Sequence, residues 1–199
     1  MSIYPEVLQQ LISAFNSLPG IGKRSAERIS LHLIDDQGRK AENLASLILD
    51  VKQKITNCPS CNNFSDSHAC SVCSSNRRDR TKLCIVEYPK DVISLEKAGI
   101  FDGLYYVLLG SISPIDGRGP QSIEVSGLLK RLSSGQIKEV IIATDADQEG
   151  EATALFLKDI LSEYDIEISR IGIGVPLGAE IEFADTATLA KSFAGRRKM

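Results

Sequence analysis

Cys58-Pro59-Ser60-Cys61 and Cys70-Ser71-Val72-Cys73 are two Cys-x-x-Cys pairs with eight residues between them. Each pair forms a tight knuckle with two thiolates on one side, and two facing knuckles supply four sulfurs at roughly 2.3 Å from a zinc ion. Four sulfur ligands leave no position for water, so the expected role is structural zinc whose binding adds to folding. Disulfides are the alternative. The N-terminus Met1-Ser2-Ile3-Tyr4-Pro5-Glu6 lacks the basic and apolar segments of a signal peptide, which points to a reducing cytoplasm and to thiolate ligands. His68, between the pairs, could stand in for a cysteine, although a surface position suits it better. Cys84, inside Leu83-Cys84-Ile85-Val86, reads as a small buried hydrophobe.

A second set of chemically capable residues is acidic. Glu87 closes one apolar run, and Asp145-Ala146-Asp147 follows another, Val140 to Thr144. If both runs are strands of a parallel sheet, their carboxyl ends share one rim, where functional groups gather. Three carboxylates there could hold magnesium and neutralise phosphate charge during phosphoryl transfer. The plainer reading is that Asp147, Glu149 and Glu151 complement the positive end of the following helix, and both readings can hold together.

A third set is basic. At Leu18-Pro19-Gly20-Ile21-Gly22 a proline and two glycines force a turn, and Lys23-Arg24-Ser25-Ala26-Glu27-Arg28-Ile29 opens a helix. Gly20 and Gly22 let the backbone approach a phosphate, the first amides of the helix point outward, and Lys23, Arg24 and Arg28 add cations. Such a contact is indifferent to base sequence and weakened by salt. A plain helical hairpin with a solvated basic face is the alternative. Gly22-Lys23 does not close an ATP-binding P-loop, because Ser17 stands where that loop needs glycine and Arg24 where it needs Ser or Thr. Arg77-Arg78-Asp79-Arg80-Thr81-Lys82 is a second basic cluster, either a DNA contact or a solvated linker.

The elements that must position these groups follow from periodicity. Val7, Leu8, Leu11, Ile12, Phe15 and Leu18 share one face of a helix over residues 5–18, Ala26, Ile29 and Leu33 one face of the next, and Ala41, Leu44, Leu47, Ile48, Val51 and Ile55 a third. From residue 83 apolar runs alternate with helical stretches. Strands are expected at 83–86, 104–109, 140–144 and 166–173, and helices at 91–98, 125–132 and from about 148 to 161, with a Gly/Pro-rich loop at 110–120. This order implies a mostly parallel sheet covered on both faces, an α/β fold behind a helical N-terminal module and a small four-cysteine zinc knuckle.

The 199 residues, 43% of them hydrophobic, suffice for one ordinary domain with small modules, and no apolar run approaches a membrane span. A net charge of -3 argues against a protein that coats DNA by bulk charge, so any nucleic-acid contact must be local.

The glycine turn with its basic helix resembles the helix-hairpin-helix motif. Glu87 with Asp145-Ala146-Asp147 resembles the Toprim signature of topoisomerases, primases and some nucleases. In order, helix-hairpin-helix, four cysteines and Toprim resemble the RecR family of bacterial recombination mediators nearly end to end. The residues carrying this are Leu18-Pro19-Gly20-Ile21-Gly22-Lys23, the four cysteines, Val86-Glu87-Tyr88-Pro89-Lys90-Asp91, Gly110-Ser111-Ile112-Ser113-Pro114, Glu149-Gly150-Glu151-Ala152-Thr153-Ala154, Val175-Pro176-Leu177-Gly178 and Phe183-Ala184-Asp185.

The resemblance implies a helix-hairpin-helix DNA-binding module at 1–56, a zinc finger at 57–74, a Toprim domain at 80–175 and an oligomerisation segment at 176–199. It implies a non-enzymatic mediator acting with RecO and RecF to place RecA on gaps covered by single-strand-binding protein, and assembling as a ring-shaped homotetramer able to encircle DNA. The Toprim region would recruit RecO and RecF. The family commonly carries Asn-Pro-Thr where this chain has Asp145-Ala146-Asp147, so this chain retains an acid set that its relatives usually lack. A magnesium-dependent phosphoryl-transfer enzyme, nuclease or primase-like, is therefore the alternative, and a structural adaptor that never meets DNA is a third reading.

Overall fold

The computed structural model describes residues 3–35 and 39–196, and the chain divides into two compact units, Met1–Ile55 and Thr56–Met199. The first is helical. Pro5 precedes helix α1 (Glu6–Asn16), where its missing N–H interrupts no helical hydrogen bond. Helix α2 (Lys23–Asp35) packs mainly on α1, and its two fully buried residues, Ala26 and Ser30, are small, with the Ser30 hydroxyl donating to the Ala26 carbonyl at 2.9 Å. Leu8, Leu11, Ile12 and Phe15 are half-buried as the periodicity demands, but Val7 and Leu18 of the same stripe are exposed. Helix α3 (Arg39–Lys54) leaves Leu44, Leu47, Ile48 and Val51 exposed.

The second unit opens with a short antiparallel hairpin, β1 (Thr56–Asn57) and β2 (Phe64–Ser65), and a one-turn helix, α4 (Ser71–Ser74). Then come β3 (Lys82–Val86), α5 (Pro89–Ala98), β4 (Leu104–Val107), α6 (Ser126–Leu132), β5 (Glu139–Ile142), α7 (Gln148–Leu161), β6 (Glu167–Arg170) and α8 (Thr186–Ala194). Four strands form one parallel sheet in the order β4-β3-β5-β6. In register, Leu104, Leu83, Val140 and Ile168 lie in one row across it. Strands β3 and β4 are apolar at nearly every position and buried almost throughout, as a sheet covered on both faces requires.

The chain starts on β3, steps outward to β4, then crosses back over β3 to β5 and continues to β6. Right-handed crossovers in opposite directions put α5 on one face and α6 and α7 on the other. The direction reverses between β3 and β5, so a crevice opens at their carboxyl ends. Glu87 and Asp145 stand at that point. The fourth strand stops at Arg170, three residues short of the stretch expected from hydrophobicity, ahead of Gly172 and Gly174. Among the described residues, no helix is long and apolar enough to cross a membrane.

Candidate functional site

The two cysteine knuckles converge. All four Sγ atoms lie within 4.8 Å of one another, with Cys61 and Cys70 3.5 Å apart, close to the sulfur-sulfur edge of about 3.8 Å in a tetrahedral zinc-thiolate site. The first knuckle closes through Asn62 and Cys61 amides donating to the Cys58 carbonyl at 2.8 and 3.2 Å. Asn62 sits in the left-handed region at φ 60°, which asparagine tolerates and which turns the chain sharply. No disulfide joins the five cysteines. The hydrogen bond from Cys61 pulls the Cys73 thiol down to about 5, against burial, with the Arg131 guanidinium adding to the fall; the same pairing, with burial, pushes Cys61 up. The convergence of four sulfurs, rather than the titration of any one of them, is what suits a soft metal. Exposed His68 is outside the cluster, and buried Cys84 stands apart with its thiol pushed up to about 12 by desolvation.

The knuckle also closes an edge of the sheet. Val107 of outer strand β4 donates its amide to the Cys61 carbonyl at 2.8 Å and accepts from the Asn62 side chain at 3.0 Å, while Arg131 bridges the carbonyls of Ser60 and Tyr105. Cys58, Cys61, Cys70 and Val72 belong to the same buried cluster as β3 and β4. Holding the knuckle therefore holds the edge strand.

At the crevice, Glu87 is almost fully buried and its Oε1 accepts the Asp145 amide at 3.1 Å. Asp147 caps α7, its Oδ1 accepting the Gly150 amide at 2.8 Å, so its carboxylate is turned to the helix. Among the described residues, the four cysteines are the one group whose ligand atoms approach within 4.8 Å of one another; the carboxylates of Glu87, Asp145 and Asp147 do not converge in this way. Glu149 and Glu151 are likewise engaged. Glu149 accepts from Ser111 and pairs with Arg118 at 2.9 Å, and Glu151 pairs with Arg170 at 2.8 Å and Lys191 at 3.2 Å.

Desolvation raises the Glu87 carboxyl from 4.5 to about 7, with the Asp145 and Asp147 charges adding and the Asp145 amide opposing. Because the folded value lies above the unfolded one, the folded state holds the extra proton between pH 4.5 and 7, and stability falls as pH rises through that window. Replacing Glu87 with Gln keeps the acceptor for the Asp145 amide and removes the buried charge. In magnesium-free buffer, urea titrations should find Glu87→Gln more stable than the parent by less than about 1 kcal/mol at pH 5 and by roughly 2–3 kcal/mol at pH 8. An equal difference at both pH values would refute the buried-charge account.

The hairpin turn is open to solvent. Gly20 adopts φ 77°, and a side chain on Gly22 would meet nothing within 4 Å, so the turn surface is bare backbone. The Ala26 amide makes the first helical bond, to the Gly22 carbonyl at 2.9 Å, leaving the amides of residues 23–25 at the positive helix end. Lys23, Arg24 and Arg28 are exposed, and none makes an ion pair among the described residues. In the second basic cluster Arg78 is committed inward, pairing with Glu96 and donating to the Phe101 carbonyl at 3.2 Å, and Lys82 reaches Asp79 and Asp102.

Comparison with known proteins bears on all three sets. Family descriptions match as "RecR, helix-hairpin-helix" over residues 8–52, "Toprim domain" over 81–172 and "RecR, C-terminal" over 174–197. The chain is 46% identical to the recombination protein RecR of Moorella thermoacetica over 196 residues, 98% of each chain. It is 43% identical to the proteins of that name from Clostridium perfringens and Acidothermus cellulolyticus, over 98% and 99% of each chain.

The chain belongs to the RecR family.

Membership gives the two motifs flanking the Toprim crevice a shared meaning. Gly110-Ser111-Ile112-Ser113-Pro114 and Glu149-Gly150-Glu151-Ala152-Thr153-Ala154 resemble RecR sequences separately, and in the fold they bind each other. The Ile112 amide donates to Thr153 Oγ1 at 2.9 Å, Ser111 to Glu149, and Thr153 Oγ1 to the Glu149 carbonyl at 2.7 Å. Reading the sequence missed Arg131, Arg170 and Lys191, whose partners lie far along the chain, and Arg118, which joins neighbouring Asp116 to distant Glu149. It also missed Leu109, held at φ 61° just after β4, where a leucine is strained.

Proposed function

We propose that this protein is a DNA-binding recombination mediator that works with RecO and RecF to place RecA on single-stranded gaps covered by single-strand-binding protein. It performs no chemistry of its own. The observation carrying this reading is the bare Gly20–Gly22 turn at the start of α2 with three exposed cations beside it, in a chain related over its full length to proteins named recombination protein RecR. Backbone amides and mobile cations suit phosphate rather than bases.

The division of labour follows the modules: DNA contact at 1–56, a knuckle holding structural zinc at 57–74, partner recruitment by the Toprim region at 80–175 and oligomerisation through 176–199. Exposed Leu47, Ile48 and Val51 on α3, and Leu177, Ile181, Phe183 and Phe193 in the C-terminal segment, support assembly of several copies into a ring in the cytoplasm. The residues that would hold zinc are Cys58, Cys61, Cys70 and Cys73; bound there, the metal would supply a rigid four-way crosslink and no open coordination position. The acidic rim of Glu87, Asp145 and Asp147 would serve partner recruitment.

Replacing Lys23 and Arg24 with Ala tests the DNA contact. Two lost phosphate contacts should flatten the dependence of log K on log salt by about 1.8 on duplex and about 1.4 on single strands, equally for unrelated sequences. An unchanged slope with altered assembly would favour a structural adaptor. The second reading, a magnesium-dependent nuclease or primase-like enzyme, draws on the retained Asp145 and Asp147. Cleavage of gapped or supercoiled DNA that needs magnesium or manganese, and is lost in an Asp145→Asn, Asp147→Asn double variant, would replace the mediator reading.

A further inference from the structure

Tyr4 ties the start of the chain to α2. Pro5, at φ -55°, limits the conformations open to Tyr4 before it, and the Gln9 side-chain amide donates to the Tyr4 carbonyl at 2.7 Å, so its immediate neighbours set the ring in place. The Tyr4 hydroxyl donates to Glu27 Oε1, and both side chains are half-buried. This bond holds the Tyr4 phenol above its ordinary value, so it stays protonated and remains a donor.

Glu27 is the one acid in the first turns of α2, among Lys23, Arg24 and Arg28. Lys23 precedes it by four residues, so the two lie one turn apart on the side of the helix that carries buried Ala26 and Ser30. Both line a groove of about 320 Å³ together with Tyr4, Ile12 and Asn16. A lysine and a glutamate at this spacing are within reach of each other. Yet among the described residues neither Lys23 nor Glu27 enters an ion pair. The Tyr4 bond accounts for this. A hydrogen bond to a carboxylate from a donor already ordered outweighs an exposed i,i+4 ion pair, which must immobilise a long lysine side chain.

We propose that Tyr4 is a positioning residue for the DNA contact: it holds the Glu27 carboxylate on its hydroxyl and so leaves the Lys23 ammonium to a phosphate. Released, Glu27 competes with that phosphate for the same cation from one turn along the helix. The inference rests on the reading of Lys23 as a phosphate contact. It extends that contact to the segment ahead of α1, which lies outside the helix-hairpin-helix match at 8–52.

Binding of fluorescein-labelled oligothymidylate to the full-length protein, followed by anisotropy across a salt series, tests this. Tyr4→Phe, which removes one hydroxyl, should weaken binding about twofold at low salt, with the loss fading as salt screens the freed carboxylate. Adding Glu27→Gln to Tyr4→Phe should restore at least the parent's affinity, and its gain there should be about twice the factor that Glu27→Gln produces in the parent. Lys23→Ala should cost less in the Tyr4→Phe protein than in the parent, because the released Glu27 already engages that cation. Parental affinity in Tyr4→Phe overturns the inference. So does weakened binding that Glu27→Gln fails to rescue, which would make Tyr4 a purely structural tie; both results leave the mediator reading standing. Unchanged affinity on replacing Lys23 with Ala in the parent removes the phosphate contact itself, and the inference falls with it.

Discussion

Stripping the zinc proposed for the cysteine knuckle will lower the stability of the second unit more than any single substitution outside its four cysteines. The expectation rests on geometry. Four thiols converge, three of them fully buried, and they join the same core as β3 and β4, while the knuckle backbone and Asn62 carry the hydrogen bonds of the outer strand at Val107. Structural zinc contributes about 10–16 kcal/mol in isolated fingers, so each of four ligands carries on the order of 3 kcal/mol. Without a metal, four thiols, three of them buried, crowd together at sulfur-sulfur distances down to 3.5 Å, and no crosslink joins the two halves of the knuckle. Cys58→Ser should release about one equivalent of zinc to a colorimetric chelator, cost about 3 kcal/mol or more in urea unfolding, and speed hydrogen exchange at the Val107 amide. Cys84→Ala is the control: equally buried but outside the cluster, it should retain zinc and cost about 1 kcal/mol for its small cavity. If purified protein carries no metal, or Cys58→Ser unfolds at the parent's midpoint, the knuckle is not a structural metal site.

The contrast between these cysteines shows what was legible in the chain. Spacing alone separated the four clustered cysteines from Cys84, because a Cys-x-x-Cys turn is a local geometry written in consecutive residues. The sheet was legible for the same reason. Apolar runs of four or five residues, each followed by a helical repeat, admit few arrangements besides a parallel sheet, and the position of Glu87 and Asp145 at its switch point follows from strand order. The convergence of all three acids did not follow. Asp147 is drawn away by the Gly150 amide, a capping bond of the sort the plainer reading of Asp147 anticipated. Arg131, Arg170 and Lys191 were invisible because each acts on a carbonyl or carboxylate on another element. Short α4 and hairpin β1-β2 left no periodicity to read, and α8 sits in a tail read only as an assembly segment. For Arg77 to Lys82 the sequence left two uses open, and the fold supplies a third at Arg78, an inward ion pair with Glu96.

Gly150→Ala will destabilise the second unit despite adding a better helix former. Gly150 lies in the first turn of α7, and by helix propensity alone the change should stabilise by about 1 kcal/mol. Space decides the sign. A Cβ on Gly150 would stand 2.1 Å from the Asp145 carbonyl oxygen, 2.8 Å from its carbon and 2.9 Å from its nitrogen, all backbone, so no side chain can swing aside. Nor can the Asp145 peptide easily retreat. Its amide is fixed to buried Glu87, and the adjacent Thr144 hydroxyl is bonded to the Gly150 carbonyl at 2.8 Å. Overpacking of this kind costs roughly 1–3 kcal/mol or more, and opening either anchor leaves a buried polar group unpaired at about 1–3 kcal/mol further. The net loss should be about 3 kcal/mol in chemical denaturation, with zinc content unchanged, since the cysteines lie on the far side of the sheet order at β4. Because the crowded carbonyl belongs to Asp145, the variant should also move the acidic rim, read as displaced amide resonances at Asp145 and Asp147 with the knuckle resonances unmoved. A Gly150→Ala protein as stable as the parent would mean that the close turn between β5 and α7 is not maintained in solution, and with it the placement of Asp145 beside Glu87 that any recruiting role for the rim requires.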